Sequence, residues 1–278
     1  MLMLPALVLL VIIFAAPMIS LFVISLHESE VGGQPYEPGF SLDSYSRFFD
    51  FDNTLYLRIM WRTFRLAIVS AGISLLVGYP VCYMIWRARG LRKNVLLALV
   101  LLPLFSNIIA RLYGWQLTFS PAGPINDLLL GVGLLDEPQS FNFSFRATTV
   151  GITYTAMPYF ILILFSALEG IDWSLVEAAR SLGATRLRSF FEVVLPLSAP
   201  GLATAISVAY AWGIGAYAEP LILGSPREYT LGYESGKQIL VNVNWPFGAV
   251  LNFVLVTAML VFVIILTKLL VRRRYMLR

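Results

Sequence analysis

The sequence predicts an all-α integral membrane domain, and three observations carry that prediction. Of 278 residues, 58% are hydrophobic and only 13% charged, with a mean hydropathy of +0.78; soluble domains carry about 25% charge. Apolar stretches recur along the chain, each near the ~20 residues that a helix needs to cross a bilayer core. Basic and acidic residues then segregate into alternate connecting segments, as membrane topology requires. Single residues exclude other chemistries. Cys82 is the lone cysteine and sits in an apolar run, which leaves no disulfide framework or thiolate metal site. His27 is the lone histidine, too little for imidazole metal clusters or Ser-His catalysis. The net charge of +4 comes from basic residues beside the apolar runs, so no nucleic acid partner is expected.

Six transmembrane helices are expected, at about 2–26, 63–86, 95–118, 147–168, 198–223 and 247–270, within a single domain 1–278. The first run has no basic n-region and is longer than a normal signal-peptide core, so it reads as a span, with a cleaved signal peptide as the alternative. A cytoplasmic leader missing or shortened ahead of it is compatible with the same pattern. Leu66–Trp86 is uncharged, and Val95–Ala110 continues past Arg111 to Phe119. Ala147–Leu168 is uncharged, and Val193–Ala218 runs on past Glu219. Ala249–Thr267 ends in a basic tail. Pro80, Pro103 and Pro158 are expected to kink the second, third and fourth spans.

Orientation follows from Lys and Arg. Arg87, Arg89, Arg92 and Lys93 lie between spans two and three, and Arg180, Arg186 and Arg188 between spans four and five. Lys268, Arg272, Arg273, Arg274 and Arg278 follow span six. Most of the 16 acids lie in the other connections, among them Glu28, Glu30, Glu37, Asp43, Asp50, Asp52, Asp136 and Glu137. Both termini and the segment 169–197 are therefore expected in the cytoplasm. The longer outer loops carry turn signals at Gly32-Gly33, Pro35, Pro38-Gly39 and Pro121-Ala-Gly-Pro124.

The cytoplasmic segment between spans four and five is the polar stretch with the most local design. Ser174 followed by Glu177 has capping-box spacing, which predicts a helix over Leu175–Leu182, roughly 12 Å long. Gly183 supplies a left-handed stop. Thr185–Leu195 is expected to restart a helix that Pro196 limits. A short helix held out from the bilayer between two spans is a docking element.

Glu177-Ala178-Ala179, then three residues, Gly183, nine residues, Val193, one residue, and Leu195-Pro196 resembles the EAA motif of ABC importer permeases, departing only in Val193 for Ile. Ser106-Asn107 through Arg111-Leu-Tyr113-Gly114, Gly78-Tyr79-Pro80 and Asn244-Trp245-Pro246-Phe247-Gly248 resemble the spermidine/putrescine (polyamine and opine) permeases. The resemblance implies a type I importer fold in the bacterial inner membrane. It also implies an assembly with a second permease subunit, two cytoplasmic ATPases and an extracytoplasmic binding protein that delivers a small-molecule substrate. Glu177, Ala178, Ala179, Arg180, Gly183, Leu195 and Pro196 would form the segment that couples to the ATPase. The sequence has no Walker A pattern. No cofactor is therefore expected on this chain, and ATP and Mg belong at the partner subunits.

For the substrate pathway, Arg111 and Glu219 stand out because intramembrane charges usually have a job. They lie roughly 24 Å beyond Val95 and 27 Å beyond Gly201 at helical rise, a similar depth. They are expected either to pair, or to leave Glu219 for a substrate ammonium; interfacial snorkelling or a structural ion pair is the ordinary alternative. Asn107, Tyr113, Trp212 and Tyr217 complete the candidate pathway, the aromatics offering cation–π faces. An ion-coupled secondary transporter is the rival class. A membrane-embedded enzyme would need a catalytic constellation that the sequence does not supply.

Overall fold

The structure, a computed structural model, describes residues 4–28, 36–37 and 39–271. Glu30, Gly32, Gly33, Pro35 and Pro38 of the connection after α1, and the tail residues Arg272, Arg273, Arg274 and Arg278, lie outside the described residues. The elements are α1 (Leu4–Ser25), α2 (Asp43–Phe48), α3 (Leu55–Arg87), α4 (Gly90–Leu101), α5 (Ile108–Thr118), α6 (Pro124–Gly131), α7 (Phe145–Glu169), α8 (Trp173–Ser181), α9 (Arg186–Ser189), α10 (Leu195–Ile214), α11 (Ala218–Leu223), α12 (Leu231–Leu240) and α13 (Trp245–Val271). Among the described residues the one β-feature is an isolated antiparallel bridge between Glu28 and Glu37.

Among the described residues, four helices are long and apolar enough to cross a membrane: Leu55–Arg87, Phe145–Glu169, Arg186–Ile214 and Trp245–Leu269. The pair Gly90–Phe105 and Ile108–Thr118 makes a fifth when taken together, bent by 100°. The stretch 95–118 is thus two helices. Pro103 removes an N–H and the chain tightens into a 3₁₀ turn, Leu102–Phe105. Asn107 then starts α5, its Oδ1 accepting from the Ile109 and Ala110 N–H groups at 2.8 and 3.3 Å.

Pro196 does not end a helix, contrary to expectation. α9 runs through a π-helical turn, Phe190–Val194, straight into α10. Pro196 falls in the first turn of α10, and the widened turn before it makes room for a ring that would clash in a regular helix. The stretch 198–223 is interrupted instead at Gly215–Tyr217, between α10 and α11. The Ala216 carbonyl freed there accepts from Thr230 Oγ1 at 2.6 Å, which satisfies the backbone where no helical partner exists.

The centre of the molecule is the α3, α7 and α10 bundle, with α13 against α10 and α12, and α1 on α13. Ala67 and Ala71 of α3 and Ala205 and Ala209 of α10 are buried in one core cluster. A Cβ on Gly213 would lie 2.6 Å from the Ala67 Cα, so the two backbones touch, as small residues permit in membrane bundles. Phe160, Leu164 and Leu168 of α7 fill the remaining space. Buried hydroxyls of Thr63, Ser74, Thr155 and Ser207 each donate to the carbonyl four residues earlier, at 2.8–3.0 Å.

Candidate functional site

The segment that follows α7 is built by local capping and anchored from beneath. Asp172, not Ser174, caps α8: its Oδ1 accepts from the Ser174 N–H at 2.9 Å. The expected Ser174–Glu177 box does not form, because helix geometry begins at Trp173 and places Ser174 inside the first turn. The Ser174 backbone N–H, with its hydroxyl, holds the Asp172 carboxyl below the ordinary value of 3.8. Gly183 has φ +92°, the left-handed stop that its lack of a Cβ allows. Thr185 caps α9 by accepting from the Arg188 N–H at 3.2 Å.

The underside of this segment is fixed to α3. Val176 is buried, and Trp173 packs edge-on against Trp86 with ring centroids 5.2 Å apart. Phe190 meets Tyr79 and Tyr83 at 5.5 and 5.3 Å. The Tyr79 hydroxyl lies 2.9 Å from Ser198 Oγ at the start of α10. Lys93 of α4 pairs with Glu169 at the end of α7 (2.9 Å), and Arg188 pairs with Glu192 (2.8 Å). Glu177, Ala178, Arg180 and Gly183 face outward; Ala179 and Leu195 are half-buried, and Pro196 is exposed. Glu177, Arg180, Ser181, Gly183, Ala184 and Thr185 surround an open polar concavity. Sequence reasoning missed the anchors. Trp173 and Val176, three apart, were the available signal for a buried underside.

At the other end of the bundle, Arg111 of α5 and Glu219 of α11 approach each other without an ion pair. The Thr155 hydroxyl beside them donates to the Gly151 carbonyl at 3.0 Å. Glu219 is 3% exposed and packs beside Gly151, so it faces α7 and not an open cavity. Arg111 Nε and Nη1 are shielded and have no hydrogen-bond partner among the described residues. The guanidinium lies 5.7 Å from the Tyr154 ring centre and, with Gly114, Trp115, Thr118 and Tyr154, lines a small open concavity. The remaining candidates do not converge there. Asn107 is spent on capping α5, and Tyr113 is 54% exposed. Trp212 stacks on Tyr159 at 5.3 Å, beside a separate shallow concavity with Val208, Ala211 and Gly215. Tyr217 stacks on Tyr233 at 6.0 Å. Among the described residues no His, Cys, Asp and Glu cluster could hold a metal.

A helical membrane bundle carrying a capped, outward-facing helix between two long helices defines a multi-pass membrane permease domain. The sequence matches the family described as binding-protein-dependent transport system inner membrane component over residues 1–275, and the chain belongs to that family. It is a permease subunit of an ABC importer, a class whose ATPase resides in separate subunits. It is 31% identical over 234 residues to the spermidine/putrescine transport system permease protein PotB of Haemophilus influenzae, covering 84% of this chain and 81% of the relative. It is 29% identical to the PotB protein of Escherichia coli (strain K12), over 79% of each. In fold it is similar to a bacterial ABC transporter involved in import of the acidic polysaccharide alginate, with a TM-score of 0.73 at 20% identity, covering 98% of this chain and 94% of that one.

Proposed function

We propose that the chain forms, with a second and related permease subunit, the inner-membrane pathway for a polyamine or related small organic nitrogen solute. An extracytoplasmic binding protein delivers that solute, and two cytoplasmic ATPases, which bind ATP and Mg, drive its passage. The solute class is supported by the similarity to the two spermidine/putrescine permeases, which extends over about four fifths of the chain. Six spans with both termini in the cytoplasm is the topology we assign. The bent α4–α5 pair and α1 join the four long helices in this count, and the Lys and Arg pattern sets the direction.

The observation that carries the mechanism is the outward face of α8. It presents Glu177, Ala178 and Arg180 around a polar concavity, while Leu175, Leu182, Leu187 and Phe191 are 48%, 90%, 72% and 59% exposed. Large apolar side chains standing among charges on the aqueous side mark a protein contact. In our reading the ATPase takes this face, with Glu177 and Gly183 presenting the helix and Leu195-Pro196 leading into α10. Movement of α8 passes through Trp173–Trp86, Phe190–Tyr79 and Tyr79–Ser198 to α3 and α10. Arg111, Tyr113, Trp212, Tyr217 and Glu219 lie at the far end of the same helices or on the elements joined to them, and Asn107 sets the bend.

Reconstituted vesicles test this reading against ion-coupled transport. The complete assembly with ATP inside is expected to accumulate the binding protein's solute without any ion gradient. Accumulation driven by a proton or sodium gradient, with no ATP, would replace the reading with the rival one.

A further inference from the structure

An apolar groove beneath α2, between α3 and α13, belongs to neither the pathway nor the outward face of α8. We propose that it seats one acyl chain of a phospholipid whose phosphate rests on Arg47. The proposal needs only that the bundle lies in a membrane, and it is independent of the solute and ATPase assignments above. The groove has a volume of about 590 Å³ and no charged side chain in its lining. Met60, Phe64 and Ile68 form its wall on α3, and Val254, Ala258, Val261 and Ile265 its wall on α13. Steps of three and four residues keep each row on one helical face. Ile68, Val261 and Ile265 are half-exposed, so the groove opens sideways to the bilayer. Buried Tyr210, stacked on Phe262 with ring centres 3.7 Å apart, closes it toward α10.

Size and charge select the occupant. Val254 to Ile265 spans roughly 16 Å at helical rise, close to one leaflet's ~15 Å share of the hydrocarbon core. A partner helix laid along that length would fill roughly 1,250 Å³ at its ~10 Å diameter, about twice the space present, whereas an acyl chain is one methylene wide. Arg47 stands at the α2 end of both rows. Its guanidinium lies 4.5 Å from the Phe247 ring centre and 5.7 Å from that of Tyr56, and its Nη2 donates to the Tyr56 hydroxyl at 3.1 Å. Tyr56 precedes Met60 by four residues and Phe247 precedes Val254 by seven, so the two rings continue the two rows. Arg47 is exposed and forms no ion pair among the described residues, not even with Asp43 one turn earlier. A planar guanidinium held on aromatic rings with donors to spare is matched to a phosphate. The roof itself is fixed: Tyr45 and Phe48 of α2 reach into the groove, and the Tyr45 hydroxyl lies 2.9 Å from Ser25 Oγ at the end of α1.

Photolabelling reads the site directly. The complete transport assembly in nanodiscs receives a trace of phosphatidylglycerol or of diacylglycerol, each carrying a diazirine at the end of one acyl chain. After illumination, peptide mass spectrometry is expected to place the phosphatidylglycerol label at the deep end of the groove, on Val261, Ile265 or Ile68. Labelling there by diacylglycerol is expected to be about tenfold lower, the loss that goes with one charge-assisted hydrogen bond. Arg47→Gln is expected to bring phosphatidylglycerol down to the diacylglycerol level. Ala258→Trp, which fills the groove, is expected to remove both labels.

Equal labelling of the parent protein by the two lipids overturns the proposal, and that comparison needs no variant to fold. Label spread evenly over the exposed Leu260 and Ile264 of α13 as well as the groove would be ordinary bilayer contact and would overturn it too. No label in the groove of the complete assembly would leave that space to the second permease and would likewise overturn it.

Discussion

The two ends of the bundle are built on opposite principles. At one end α8 is assembled by its own backbone rules, capped by Asp172, stopped by Gly183, and displayed with Glu177, Ala178 and Arg180 exposed. At the other, Glu219 and Arg111 are positioned by tertiary packing of α5, α7 and α11, with the carboxylate buried and two guanidinium nitrogens unfilled. In the proposed reading, the first end exposes what a partner protein grips, and the second buries what shapes the pathway. Substitutions at the two ends should therefore separate: stability should fall at the buried end, and coupling should fail at the exposed end with stability intact.

The largest effect is expected between the ends, where the helices that join them touch. Gly213→Leu forces α10 away from Ala67 of α3 and is expected to cost about 3 kcal/mol or more, read as a lowered melting temperature of the solubilised assembly. At the buried end, Glu219→Ala empties the space that the buried side chain fills beside Gly151 and is expected to cost about 2 kcal/mol. Glu219→Gln keeps the side-chain volume and should recover part of that in the same melt. If Glu219→Ala melted like the parent, the two ends would not differ as described.

Gly183→Val is expected to act mainly on coupling. The φ of +92° opposes a β-branched side chain by about 1–2 kcal/mol locally. The solute-stimulated ATPase rate should therefore drop while the global melting temperature holds. The smallest effect concerns Asp172. Its carboxyl titrates below the ordinary value of 3.8 in the folded protein, so its capping contribution is complete above that value and is lost as pH falls through the lowered one. Proteolytic nicking of the α8 loop should rise over that acid range in the parent, and Asp172→Asn should remove the dependence.

How far the sequence can be read follows the same division. Gly183 is legible because a left-handed stop is a property of one residue, and the all-helical membrane class because hydropathy needs no tertiary information. The start of α8 is misplaced by two residues: Asp172 and Ser174 are both good caps, and spacing to Glu177 favours the wrong one. Pro196 misleads because a π turn at Phe190–Val194 has no sequence signature of its own. The bend at Ser106-Asn107 lies behind Pro103, yet its size depends on the Asn107 cap as well as the ring. Counting helical rise brings Arg111 and Glu219 to one neighbourhood. Glu219 packs beside Gly151 of α7 instead of pairing, which no spacing argument along spans three and five contains.

The central claim is that the outward face of α8 docks on the ATPase, and a cross-link reads it directly. Ala178 is exposed where Ala179 is half-buried, so Ala178→Cys is the better probe, with buried Cys82 as a silent background. In the complete assembly, a short bifunctional reagent is expected to join Ala178→Cys to a cysteine in the ATPase groove, with a yield that changes between the nucleotide-free and ATP-bound states. No cross-link in either state, from an assembly that still transports, would contradict the account.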